Sequence, residues 1–239
     1  MAPVPLHHIL FLDIETTAQY GRFEELPVAF QDLWTRKAAS LIRDKANDSA
    51  SSLYPHAALF AEFGKVICIS CGIISQKGNQ RTLSIKSFHG ENEIVLLREF
   101  SDTLSKWGNS ADKWLCAHNG KEFDFPFLCR RLVINQLPIP AILDFAGKKK
   151  WDLPHLDTLE MWKFGEYKNF SSLNLLALVL GIATPKDDID GAQVNQVYWR
   201  DHDLDRIVQY CQKDVITVAQ VYLRLKGESP LAQEDIEIK

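Results

Sequence analysis

The sequence predicts an α/β layer fold, a mixed five-stranded sheet flanked by helices. Three observations carry this expectation. Short runs rich in β-branched and aromatic residues are interspersed with segments whose apolar residues recur at helical spacing. The early strand-like runs include a hairpin, which makes antiparallel neighbours, and the later ones are separated by helices, which makes parallel neighbours. The chain has 239 residues, 46 % hydrophobic and 24 % charged, enough for one α/β domain with a full core.

In chain order, residues 1–7 form a short tail and the run from His7 to Leu12 is the first strand. Residues 17–62 lack strand alternation and contain an expected helix at Val28–Arg43 and a polar loop at Asp44–Ser52. An insertion of that length between core strands points to a functional loop or a lid. Val66–Ser75 and Thr82–Phe88 read as a hairpin turning at Gln76–Asn79. Glu91–Trp107 carries Ile94, Leu97, Phe100 and Leu104 at helical spacing. Trp114–Ala117 is a short buried strand and Phe123–Asn135 a helix ended by two prolines. His155–Leu159 is the fifth strand, and Ser172–Leu180 an apolar helix with a serine before it and Gly181 after it. The last helix runs to about Leu225, with Asp201 as its expected cap, and the acidic tail after Gly227 is expected to fray. No repeat or linker divides the chain, so residues 1–239 are expected to form a single domain with an insertion at about 17–62.

Composition narrows the function classes. No apolar run reaches the ~20 residues of a membrane span, and no charged segment with an apolar signal core opens the chain. Five cysteines, an odd number, fit a reducing compartment better than a disulfide framework, so the expected location is cytoplasmic. The net charge of -4 excludes a globally basic coat for nucleic acid but leaves room for an enzyme with local cations.

Three motifs carry chemistry. Asp13-Ile14-Glu15 follows the first apolar run. Residues i and i+2 of a strand share a face, so the two carboxylates project together, away from Leu12 and Ile14. Paired anions on a core strand call for a divalent cation of the hard, oxygen-seeking kind. Alone, the pair fits a solvated strand end equally well. Asp124 stands among Phe123, Phe125, Phe127 and Leu128, just beyond the strand Trp114–Ala117, at the carboxyl end where α/β folds place sites. Alone, it also fits an acidic residue in a helix's first turn. Tyr210 and Asp214 are i and i+4 on the last helix, offset from its apolar stripe. Lys148–Lys150 beside Trp151 combine cations with a ring, as strand-binding surfaces do, and fit a solvated loop as well. Cys68 and Cys71 are three apart on an expected strand and face opposite sides, which argues against a shared metal.

Together and in this order, the motifs resemble those of the DEDD superfamily of 3′-5′ exonucleases, in its tyrosine subgroup, from Ile9 to about Leu225. Glu62–Ser70 is similar to a strand of the proofreading domains of B-family DNA polymerases. Ser172–Ile182 with Lys186 and Asp190-Gly191 resembles the run before the third motif in a polymerase-B-like exonuclease family. The resemblance implies a ribonuclease-H-like fold. It implies that Asp13, Glu15, Asp124 and Asp214 hold two divalent cations, Mg²⁺ or Mn²⁺, and that Tyr210 orients the attacking water. It also implies that Asn119 and Phe123 line the terminal-nucleotide pocket, although Phe123 serves equally as core, and that Thr16 and Thr17 donate to the 3′ end or act as ordinary turn residues. The expected activity is metal-dependent 3′-5′ exonucleolysis of DNA, single strands above all, releasing nucleoside 5′-monophosphates. The alternatives are a 3′-processing exoribonuclease and an inactive nucleic-acid-binding protein. The expected partners are a nucleic-acid 3′ end, DNA favoured over RNA, and replication or repair proteins, with no membrane.

Overall fold

A computed structural model describes residues 4–168, 170–183 and 189–239. Lys186, which figures in the resemblance, lies outside the described residues. The strands are β1 (Ile9–Ala18), β2 (Gly64–Lys77), β3 (Gln80–His89), β4 (Trp114–Ala117), β5 (Leu156–Asp157) and β6 (Ile236–Ile238). The helices are α1 (Val28–Ala38), α2 (Glu93–Trp107), α3 (Asp124–Ile134), α4 (Thr158–Lys163), α5 (Leu173–Val179), the single turn α6 (Val194–Gln196) and α7 (Leu204–Leu225).

The sheet order is β5-β4-β1-β2-β3-β6. β1, β2 and β3 pair antiparallel, while β4 pairs parallel to β1 and β5 parallel to β4. This is the expected mixed sheet with one strand more. The tail read as frayed supplies β6, which pairs parallel to β3 at Leu83–Ile85. Its return is fixed by Gln220 of α7, whose amide donates to the Leu231 carbonyl and accepts from the Leu231 N–H.

Alternation along β1 decides the two layers. Leu10, Leu12 and Ile14 pack with Leu97 and Phe100 of α2 and Leu128 of α3. Ile9 and Phe11 point the other way, onto Val215, Val218 and Tyr222 of α7. Helices thus cover both faces and leave the long central strand buried for nearly its whole length. No helix among the described residues is long and apolar enough to cross a membrane.

Several boundaries differ from expectation. β1 continues through the carboxylates to Ala18, because its last residues still pair with β2 at Gly64 and Lys65. β5 is two residues long, because the Asp157 carboxylate accepts from the N–H groups of Leu159 and Glu160 and starts α4 there. α7 is capped by Asp203, which accepts from Arg206 N–H, and not by Asp201, which falls in the preceding wide turn. The excursion between β1 and β2 has a small core of its own: Trp34 and Tyr54 pack with Leu26, Leu53 and Phe63. The Trp34 indole donates to the Ala50 carbonyl at 2.8 Å. Gly64 seats this unit against β1. A Cβ there would lie 3.0 Å from the Thr17 carbonyl and 3.1 Å from those of Ala57 and Ala58.

Candidate active site and metal centre

Asp13 and Glu15 continue the row begun by Ile9 and Phe11, so their side chains emerge where the apolar contact with α7 gives out. The element facing them is the first half of α7. Cys211 of that helix donates from Sγ to the Asp13 carbonyl at 3.5 Å. One ligand atom from each of Asp13, Glu15 and Cys211 lies within 4.8 Å of the others. A bulge sits at this point of the sheet: Glu15 stands opposite Cys68 but Thr16 opposite Val66, which leaves Ile67 unpaired with β1. Bulges of this kind re-aim neighbouring side chains.

The second motif is delivered by the turn between β4 and α3. Asn119 takes a left-handed φ of 62°, tolerable for asparagine. Gly120 follows, where a Cβ would stand 2.4 Å from that of Ala117. Only glycine permits so tight an exit from the strand. Asp124 then opens α3, buried, and accepts from the Ile14 backbone N–H. That bond fastens the start of α3 between the two carboxylates of β1. From the third motif, Asp214 acts electrostatically on Asp13, Glu15 and Asp124, and Tyr210 hydrogen-bonds Asp214 from one turn earlier. The five residues singled out in the sequence are therefore brought together from three distant segments.

The electrostatics of the cluster are one-sided. Burial, followed by the charges of Glu15, Asp214 and Asp124, raises Asp13 well above the usual carboxylate range. Burial and Asp214 do the same to Glu15. Burial raises Asp124 to about 7, with Asp157 and Asp214 adding to the effect. Tyr210 is pushed far up by burial and by the surrounding carboxylates, so its phenol stays protonated and acts as a donor, not as a base. Oδ2 of Asp13 is shielded from solvent and has no hydrogen-bond partner among the described residues. A hard dication suits this set: several buried oxygen donors, excess negative charge, and an oxygen without a proton to accept.

The other expected residues fare differently. The Thr16 hydroxyl donates to the Ala58 carbonyl at 2.8 Å, and the buried Thr17 hydroxyl to Asn195 Oδ1 at 2.8 Å. Both hydroxyl protons are used inside the protein. Phe123 is half-buried, packs on the core and meets Phe127 at a tilt of 44° with centroids 5.3 Å apart. The Asn119 N–H donates to Asp157 at 3.0 Å. Cys68 and Cys71 fall on opposite faces of the sheet, in separate clusters, as their spacing predicts.

Two positioning residues went unnoticed in the sequence. Asp157 accepts from Asn119 and Lys121 N–H as well as capping α4, so it holds the turn that carries Asp124. An aspartate followed three residues later by Glu160, just ahead of a helical run, was the available signal. Asn195 ties Thr17 and the Ala18 N–H to the turn before α7, and no local pattern announces a contact across that separation.

The fold and the site define a class: a ribonuclease-H-like α/β sheet with carboxylates from its central strand and two flanking helices gathered at one point. A family model described as a predicted 3′-5′ exonuclease related to the exonuclease domain of PolB matches residues 58–236. The chain belongs to that family. The match includes Asp124, Tyr210 and Asp214 and begins after Asp13 and Glu15, whose place in the cluster rests on the geometry above. No curated protein matches the chain.

Proposed function

We propose that the protein is a metal-dependent 3′-5′ exonuclease that hydrolyses phosphodiester bonds at the 3′ end of single-stranded DNA and releases nucleoside 5′-monophosphates. The observation that carries this reading is the convergence of Asp13, Glu15, Asp124 and Asp214, with Glu15 and Asp124 buried, raised proton affinities at Asp13, Glu15 and Asp124, and no hydrogen-bond partner for Asp13 Oδ2 among the described residues. These four side chains would hold the divalent cations. Two such cations, Mg²⁺ or Mn²⁺, supply activation of the attacking water and charge stabilisation of the phosphate and the departing 3′-oxygen.

The chain's own residues do the rest. The central strand and the start of α3 fix the carboxylates before substrate arrives, so little reorganisation accompanies the reaction. Tyr210, protonated and anchored on α7, offers its hydroxyl to orient the water in line with the scissile bond. Burial excludes competing solvent around Glu15 and Asp124. Asn119 and Phe123, on the turn that delivers Asp124, would contact the terminal nucleotide. The whole chain, 1–239, works as one catalytic unit with the excursion at 17–62 packed on it. Five free cysteines favour a reducing compartment such as the cytoplasm, and a nucleic-acid 3′ end, presented in repair or replication, is the expected partner.

The test is a 5′-labelled DNA strand incubated with the protein and Mn²⁺, beside Asp13→Ala and an EDTA control. A ladder shortening from the 3′ end, absent in both controls, is expected. A matched RNA strand, degraded faster, would move the assignment to a 3′-processing ribonuclease. Binding without cleavage under every metal would leave a binding protein.

A further inference from the structure

The segment that wraps the carboxyl end of β4 carries an unusual surface. Trp151, Phe164, Tyr167 and Phe170 are 73, 85, 92 and 67 % exposed. Among the described residues between 150 and 170, every large apolar side chain left this open is a flat ring and none is aliphatic. Open rings lose hydrophobic stabilisation, and Phe164 in addition adopts a left-handed φ of 46°, uncommon for a bulky residue. Exposed rings in such number mark a surface that something covers.

Two of the rings lie beside the turn that delivers Asp124. Trp151 and Tyr167 share a hollow of about 260 Å³ with Lys121 and Glu122, and Asp124 follows two residues later. The segment is pinned there. The His118 ring bonds the Thr158 hydroxyl and the Ser171 carbonyl, each at 2.9 Å, and Lys121 Nζ donates to the Leu153 carbonyl at 3.1 Å. The charges around the rings are mixed. Lys149 Nζ lies over the Trp151 ring, 5.3 Å from its centroid, while Lys150 bridges Glu122 and Glu160.

We propose that Trp151, Phe164, Tyr167 and Phe170 form a stacking platform for the unpaired nucleotides that lead to the acidic site, and that this platform makes the protein select single strands over duplex ends. The inference rests on the nuclease reading. Bases in a duplex have both faces occupied by their neighbours, whereas an unpaired base offers a π-face to a ring regardless of its identity. Stacking and not phosphate pairing dominates here, because Lys150 and Lys163 are each already paired with Glu160. Binding therefore tolerates added salt better than a lysine-lined groove does.

The test measures binding without turnover. Anisotropy of labelled oligothymidylates of about 4 to about 16 nucleotides, in EDTA, is recorded for the unaltered protein, Trp151→Ala, Tyr167→Ala and the double variant. Each lost ring is expected to weaken binding by about five- to 150-fold. Tyr167→Phe is expected to restore affinity, and blunt duplex to bind no better than the double variant binds single strand. The variant sites are exposed, and melting curves confirm their fold. Equal affinity of all variants within about twofold, or absence of binding by the unaltered protein, overturns the platform. Variants that change the oligomeric state but not strand affinity overturn it too, and assign the rings to contact between copies. Hydrolysis of the p-nitrophenyl ester of thymidine 5′-monophosphate by the unaltered protein with Mn²⁺ tests the nuclease reading alone, since that substrate has no strand to stack.

Discussion

Among the described residues, two groups of buried charge are built on opposite plans. Glu93 and Arg131 join the N-terminus of α2 to α3. Oε1 of Glu93 accepts from Val66 N–H and Arg131 Nε, both at 2.8 Å, and Oε2 accepts from Arg131 Nη2 at 2.5 Å and Asn135 Nδ2 at 3.0 Å. Arg131 Nη1 donates to the Ala61 carbonyl at 2.7 Å. The pair closes its own charge balance. The cluster of Asp13, Glu15, Asp124 and Asp214 does the reverse, placing like charges together and leaving Asp13 Oδ2 without a partner. Glu15 and Asp124 are as deeply buried as Glu93 and Arg131, so burial alone does not separate a structural charge from a functional one. The distinction lies in whether the protein itself supplies the counter-charge.

Breaking each group should therefore give opposite phenotypes. Asp13→Ala or Asp214→Ala is expected to lower DNA cleavage by about a thousandfold or more, while the metal-free melting temperature holds or rises as repulsion is relieved. Measurement of both on the same preparations checks the contrast, and a large loss of melting temperature in either variant removes it. Arg131→Ala should destabilise by about 3–5 kcal/mol, lowering the melting temperature by roughly 10 °C, because Glu93 is left buried and unpaired. Added Mn²⁺ at a hundredfold excess over its dissociation constant should raise the melting temperature of the unaltered protein by about 5–10 °C, and that of Asp13→Ala hardly at all. Calorimetric titration gives the same comparison directly. Tyr210→Phe should slow cleavage by about ten- to a hundredfold while keeping the Mn²⁺-induced melting shift, since it removes a donor and no ligand.

The smallest expected effect concerns pH. Asp124 holds its proton to about 7 in the fold, against an unfolded carboxylate value of 3.8. The folded state then binds more protons than the unfolded one across that interval. The stability this contributes is complete below the ordinary carboxylate range and is lost as pH rises to about 7. Melting of the metal-free protein should fall as pH rises over that range, and Asp124→Asn should reduce the slope, Asp13 and Glu15 supplying the remainder. An unchanged slope in Asp124→Asn would show that another group titrates.

Legibility in the sequence followed the range of the interactions involved. The alternation that sends Asp13 and Glu15 to one face is a property of neighbouring residues, as is the i, i+4 stacking of Tyr210 on Asp214, and both hold in the structure. The cap of α7 was misplaced by two residues, because Asp201 and Asp203 are equivalent as local signals and only the wide turn at Val197–Asp201 selects between them. β6 was invisible, since three residues of acidic tail become a strand only through the free edge of β3. The use of Thr17 by Asn195 across the fold lay beyond any local pattern for the same reason.

That last strand has a consequence for the protein's life in concentrated solution. β3 alternates buried Leu83 and Ile85 with polar residues, and it lies next to the end of the sheet. Without a neighbour, its unpaired N–H and C=O groups would template the same strand in another copy. Ile236–Ile238 occupies that edge, with the Lys239 N–H extending the contact to the Ile85 carbonyl at 2.9 Å. The sheet therefore ends there in a strand of three residues, too short to template extended pairing. Removal of residues 236–239 would leave the 10-residue β3 as the edge, so that truncation is expected to aggregate more readily while every carboxylate of the site stays in place.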